Sequence, residues 1–287
     1  MTATAPTTTA LPVAATAQAS KRYGAFTAVD TVSTNVGQGE IVGLLGANGA
    51  GKTTVIKMLL GLTVPTSGSV TLFGAPPSRA TRKRLGYVPQ GLGLWESLTV
   101  AENLAFAATA FGAPRATELP PALQAAGDRA VASIGLGLQR QLAFTIALAH
   151  QPELLVLDEP TSGLDPLSRA RLWDTVHEQA ETGAAVLVTT HYMQEAQQCD
   201  RLVLMSHGTA VAEGTEADII GDTTACEVDA DDWARVFAAL NTAGLPVTLA
   251  GRRVRIADTP PEAVQAALDA AGTPAHVRQV RATLEEK

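Results

Sequence analysis

Gly46-Ala-Asn-Gly-Ala-Gly-Lys52-Thr53 is the first stretch whose spacing could do chemistry. Gly46, Gly49 and Gly51 let consecutive backbone N–H groups turn inward around anionic oxygens. Lys52 can reach the β and γ phosphates of a nucleotide, and the Thr53 hydroxyl can ligate Mg²⁺. A helix starting at Lys52 would add its positive dipole end. Asn48, Ala50 and Thr54 complete this candidate ATP-binding set. Further along, Leu154-Leu-Val-Leu-Asp158-Glu159 closes an apolar run with two carboxylates. Asp158 can hold Mg²⁺ through its waters, and Glu159 can polarise an attacking water. Together the two stretches point to hydrolysis of a magnesium nucleotide.

Such groups need rigid elements. IVGLL (41–45), LLVLD (154–158) and AVLVTT (185–190) are short apolar runs bounded by turn residues, and read as buried strands. Val70–Phe73, Arg84–Val88 and RLVLM (201–205) read the same way. Helices are expected at 52–60, 97–112, 138–150, 166–182 and 192–198. Thr99 and Glu102 have capping-box spacing, and Pro152 stops the helix before it. Apolar strands alternating with helices call for an α/β fold with a mostly parallel sheet covered on both faces. Residues 113–127, rich in Pro, Ala and Gly, give no clear element.

The chain divides by composition. Residues 1–17 are Ala, Thr and Pro with no basic start, and read as a disordered tail rather than a signal peptide. Residues 18–220 carry the chemistry. Residues 221–287 read strand, helix, strand, strand, helix, strand, the order of a small ferredoxin-like α+β domain.

Composition also excludes. The formal net charge of −7 argues against nucleic acid as a partner, since phosphate backbones attract clustered Lys and Arg. Cys199 and Cys226 sit in no CxxC pair or zinc-spaced cluster, so two free thiols are expected. No apolar run approaches the ~18 residues of a membrane span.

Taken in order, GANGAGKTT (46–54), YVPQ (87–90), LLVLDEPTSGLDP (154–166) and LVTTHYMQEA (187–196) resemble the ATP-hydrolysing subunits of ABC transporters. The resemblance covers about residues 18–220. It implies a P-loop NTPase fold with a central sheet, a β-subdomain and a helical subdomain. It implies that Tyr23 stacks on adenine and that Gln90 contacts Mg²⁺ and water. Glu159 would be the catalytic base and His191 the switch histidine against the γ-phosphate. Ser162-Gly-Leu-Asp165 would cross a dimer interface.

The signature loop departs from the pattern. Gly135 replaces the usual Ser in Gly135-Leu-Gly137-Leu-Gln-Arg140, which would weaken the composite site made with a partner subunit. Gly135 and Gly137 remain candidates for contacting that partner's ATP. The tail, ending ATLEE at 282–286, resembles the appended domain of ATPases serving ABC-2-type exporters.

The expected protein is therefore a peripheral subunit on the cytoplasmic face. It would act as a homodimer or heterodimer and drive export of a drug-like, lipid or polysaccharide substrate through a permease on another chain. An importer ATPase, a non-transport soluble ABC ATPase and a degenerate regulatory ATPase are the alternatives.

Overall fold

The computed structural model describes residues 11–112 and 119–286, which fall into two units, one up to Glu213 and one from Gly214 onward. The first unit runs β1 (Ala14–Tyr23), β2 (Phe26–Val36), β3 (Ile41–Leu45), α1 (Lys52–Leu59), β4 (Ser67–Leu72), α2 (Arg79–Arg82), β5 (Leu85–Val88), α3 (Val100–Phe111) and α4 (Pro121–Ala125). It continues with α5 (Leu136–Leu148), β6 (Leu154–Asp158), α6 (Pro166–Glu181), β7 (Ala185–Thr190), β8 (Arg201–Ser206) and β9 (Thr209–Gly214).

Two sheets organise this unit. A six-stranded sheet has the order β5-β6-β7-β3-β8-β9, and the first five strands pair in parallel. A three-stranded antiparallel sheet has the order β2-β1-β4. Side chains along the central strands alternate between two cores. Leu154, Val156, Ala185 and Leu187 pack with α1 and with Val29, Val32 and Val70 of the antiparallel sheet. Leu155, Leu157, Val186 and Val188 pack against Ala143, Phe144 and Ala147 of α5 and Leu172, Trp173 and Val176 of α6. Burial on both faces explains why these strands read as continuous apolar runs.

The apolar strands lie where expected, and Thr99 caps α3 in a full capping box with Glu102. Three expectations need correction. Composition extends the tail to residue 17, but Ala14 begins the central strand of the antiparallel sheet; residues 1–10 lie outside the described residues. Ala14 and Ala19 are fully buried there, and small side chains suffice because the sheet packs on α1. The helix expected at 192–198 is not α-helical, since Met193–Gln198 is 3-10. Of the unplaced stretch 113–127, residues 121–125 form α4, where Leu123 joins Val100, Ile134 and Leu142 in a separate helical core; residues 113–118 lie outside the described residues.

The second unit contains α7 (Glu216–Ile220), β10 (Thr224–Asp229), α8 (Trp233–Thr242), β11 (Val247–Ala250), β12 (Arg253–Ala257), α9 (Pro261–Ala270) and β13 (His276–Arg281). It starts at Gly214 rather than 221 and so takes in α7, which a capping box between Thr215 and Asp218 opens. From β10 onward the order is the expected βαββαβ, and the sheet is antiparallel with the order β11-β12-β10-β13. Cys226, Val228, Val254 and Ile256 face Val236 and Leu240 of α8 and Val264 and Leu268 of α9. Glu227 alternates to the other face, where Arg278, Arg253 and Arg255 hold its carboxylate below the ordinary range. Both cysteines are free, and burial with the Glu195 and Asp200 carboxylates pushes the Cys199 thiol up to about 12. Among the described residues no helix is long and apolar enough to cross a membrane.

Candidate functional site

Parallel pairing brings four carboxyl-terminal strand ends side by side, in the order β5-β6-β7-β3. Ligands of open α/β sheets bind at such an edge. Gln90 follows β5, Asp158 ends β6 with Glu159 just after it, His191 follows β7, and the 46–53 loop follows β3. The register sets them level: Asp158 lies opposite Thr189, and Leu45 opposite Thr190.

The three loop glycines are needed for different reasons. At Gly46 a β-carbon would stand 2.3 Å from the Met205 carbonyl oxygen, and at Gly51 2.6 Å from that of Ala28. Gly51 also has φ +103°, a left-handed conformation that side chains resist. Gly49 differs from both: a β-carbon there would meet open space, so no close approach demands glycine. Its φ of +83° itself favours glycine, and it lines the cavity over the loop. Lys52 is buried, and its ammonium donates to the carbonyls of Gly46 (2.7 Å) and Ala47 (3.1 Å). Burial lowers its pKa, while Glu159 and Asp158 oppose that shift. The cavity, of about 330 Å³, is lined by Asn48, Gly49, Ala50, Gly51, Lys52, Thr53 and Thr54 with Phe26, Ala28, Gln90 and Glu159.

The acidic side is organised by Thr189, a residue that sequence reasoning does not single out. This fully buried hydroxyl donates to Asp158 Oδ1 (2.6 Å) and accepts the Glu159 N–H (2.9 Å). A threonine inside an apolar strand carries no local mark of such a task. Thr53 Oγ1 lies 3.4 Å from Asp158 Oδ1. Glu159 has φ +50°, a strained value for a non-glycine residue, and strain of this kind collects at functional sites. Gln90 Nε2 donates to Glu159 Oε2 (3.1 Å), and His191 Nδ1 stands 3.5 Å from the same oxygen. Burial and the Asp158 charge push the Tyr87 phenol up to about 12, so it stays neutral beside this cluster.

The other candidates divide. Tyr23 is half exposed at the β1–β2 turn and is not among the residues lining the cavity; Phe26, its cross-strand partner, is. Gly135 is the N-cap of α5 and Gly137 lies in its first turn. Neither lines the cavity, and both have open space where a β-carbon would go. Arg140, one turn on, is buried and donates to the carbonyls of Pro160 and Ser162. These bonds tie α5 to the segment following Glu159.

This arrangement suits a magnesium polyphosphate. The loop offers glycine-lined backbone and a buried cation. Thr53 and Asp158 offer two hard oxygen donors close together, the kind Mg²⁺ takes. The Glu159 carboxylate lines the cavity, where it can accept a proton.

Comparisons with known proteins agree with this chemistry. Residues 29–162 match the family described as ABC transporter. The Nod factor export ATP-binding protein I of Burkholderia thailandensis is 44% identical over 223 residues, 74% of this chain and 73% of that protein. The probable multidrug ABC transporter ATP-binding protein YbhF of Escherichia coli K12 is 41% identical over 210 residues. That match spans 69% of this chain but only 36% of the relative's length. A solved ATP-binding subunit of an ABC transporter superposes with a TM-score of 0.67 at 32% identity, covering 72% of this chain and 91% of the other.

Proposed function

Because the chain belongs to the family of ABC transporter ATP-binding proteins, we propose that it binds and hydrolyses ATP with Mg²⁺ to drive export through a separate membrane permease. The observation carrying this reading is that Lys52, Thr53, Gln90 and Glu159 line one cavity at adjacent strand ends, with Asp158 beside Thr53 and His191 beside Glu159.

In this reading the N–H groups of the loop from Gly49 to Thr54 and the Lys52 ammonium hold the phosphates. Thr53 and Asp158, with Gln90, hold the metal ion, which neutralises developing charge on the phosphates when bound. Glu159 accepts the proton of the attacking water, with Gln90 and His191 fixing its carboxylate. Phe26 offers the base an aromatic edge at the β1–β2 turn, with Tyr23 as its cross-strand neighbour.

Gly135 and Gly137 stand outside the cavity, which agrees with a role toward the ATP of a second subunit. The working unit is then a homodimer or heterodimer. Export, rather than import, is favoured by the Nod factor and multidrug relatives. The partner is read as an ABC-2-type permease on the strength of the C-terminal pattern ending ATLEE (282–286), and the working place as the cytoplasmic membrane face. The second unit, with its βαββαβ order, is read as a ferredoxin-like appendage of such exporters.

Two experiments test this proposal. Affinity capture from native membranes, using the Glu159→Gln chain with ATP, is expected to recover a polytopic membrane protein. Recovery of ribosomal or DNA-associated proteins alone would overturn the transport reading.

The second is Gly135→Ser, which fits without a clash. Its hydroxyl would give the partner's γ-phosphate a charged hydrogen bond, worth ~1.5–3 kcal/mol, so ATP affinity or turnover is expected to rise roughly tenfold to hundredfold. Unchanged kinetics would remove the signature role from Gly135.

A further inference from the structure

The 3-10 segment after β7 holds a second ionic contact that the hydrolytic site does not use. Glu195 is buried to 3% exposure, and neither carboxylate oxygen has a hydrogen-bond partner. Arg169 of α6 lies beside it, Nε to Oε1 at 3.7 Å, and this Nε is likewise buried without a hydrogen bond. Trp173 Nε1, one turn further along α6, is a second unpartnered buried donor. Arg169, Trp173, Glu195 and Gln198 line a common cavity of about 300 Å³. Folded proteins rarely leave so many buried polar atoms open in one place, and each such group needs an explanation.

The contacts of Arg169 supply one. On one side its backbone N–H donates to the Asp165 carbonyl (3.0 Å), and Asp165 is the N-cap of α6, bonded to the Leu167 and Ser168 N–H groups. On the other side its guanidinium lies over the Tyr192 ring at 5.0 Å. The Tyr192 ring packs on His191 with centroids 4.1 Å apart, and His191 faces the Glu159 carboxylate at 3.5 Å. The Arg169 guanidinium therefore reaches from α6, whose N-cap is Asp165, to the segment that carries His191.

We infer that Arg169 is a positioning residue, whose guanidinium couples α6 to Tyr192 and Glu195 and so sets His191 against Glu159. The inference rests on the ATPase reading of that site. In this structure the Arg169–Glu195 pair is within ion-pair reach but beyond hydrogen-bonding distance. A shift of α6 by less than about 1 Å would close it. Such a shift would draw the 3-10 segment, and His191 with it.

The test uses the purified whole chain with MgATP. Turnover, KM, nucleotide affinity and thermal midpoint are measured for the natural chain, Arg169→Met, Arg169→Lys, Glu195→Gln, Arg169→Met with Glu195→Gln, and Glu159→Gln. Misplacing a catalytic group by ~1 Å costs up to about a hundredfold in rate. Arg169→Met is therefore expected to lower kcat about tenfold to a hundredfold, with KM and nucleotide affinity within about twofold. Arg169→Lys should recover part of the loss. The double variant should lose no more than the worse single one, because both act through one contact.

A kcat for Arg169→Met within about twofold of the natural chain would overturn the inference. So would a loss matching only a fall in the folded fraction, or additive losses in the double variant. If Arg169→Met does not fold, Glu195→Gln and Arg169→Lys carry the same comparison. A natural chain without ATP turnover would overturn the ATPase reading and this inference together. Turnover abolished by Glu159→Gln yet untouched by Arg169→Met would overturn the inference alone.

Discussion

Replacing Glu159 with Gln should lower ATP turnover by at least about a hundredfold while leaving nucleotide affinity nearly unchanged. The reason is local. Glutamine keeps the size of the side chain and an oxygen that can accept from Gln90, so the 3.1 Å contact can persist. It loses the negative charge and the site that takes a proton from water. A positioned general base contributes typically about 10²–10⁴-fold, and little else at this position changes. The backbone at φ +50° is held by the Thr189 hydroxyl and carbonyl, neither of which depends on the carboxylate. Phosphate release and binding of a fluorescent ATP analogue separate the two effects. Turnover above about a tenth of the natural rate would move the base elsewhere.

Lys52→Met has the opposite signature: binding fails first. The ammonium is buried, donates to the Gly46 and Ala47 carbonyls, and feels two nearby carboxylates. With nucleotide present it is the cation available inside the glycine loop. Removing one partner of a buried charged pair costs ~2–5 kcal/mol, so ATP affinity is expected to fall by roughly thirtyfold or more. Methionine is a good helix former of similar length, which keeps α1 intact. Equilibrium titration alongside a thermal melt is the check. An ATP affinity within about threefold of the natural value, in a folded protein, would remove Lys52 from the phosphate site.

What the sequence made legible was local. LLVLD, IVGLL and AVLVTT are apolar throughout because both faces of the sheet are covered, and each strand lies where its composition placed it. The glycine loop and the paired carboxylates then stand at the strand ends by connectivity alone. The pattern does not distinguish the glycines, however. Gly46 and Gly51 are fixed by the carbonyls of Met205 and Ala28, distant in sequence, while Gly49 is fixed by its own backbone angle.

What escaped was set by pairing at a distance. In AATAQASKRY the buried positions are Ala14, Thr16 and Ala19, too small and too polar to give a period. Their strand identity comes from Val36 and Leu72 on either side. The same hairpin register sets Phe26, rather than Tyr23, at the cavity wall. Thr189 was hidden because its task exists only once Asp158 lies beside it. The boundary at Gly214 escaped because it follows which residues pack together, not a change in composition.

The place of β3 in the sheet also has a consequence for the order in which this molecule comes into being. β3 hydrogen-bonds to β7 on one side and β8 on the other, and both are made long after the loop that β3 carries. As the chain leaves the ribosome, the phosphate loop is complete once Thr53 has been added, but its two flanking strands do not both exist until Ser206. Until β7 is made, Ile41–Leu45 lacks both of its native neighbours, leaving an apolar segment of the kind that invites association with other chains. Long-range parallel pairing of this sort is slow to form. Nucleotide binding should therefore arise late and all at once during synthesis, and nascent chains halted before β7 should depend on chaperones rather than on ATP for protection.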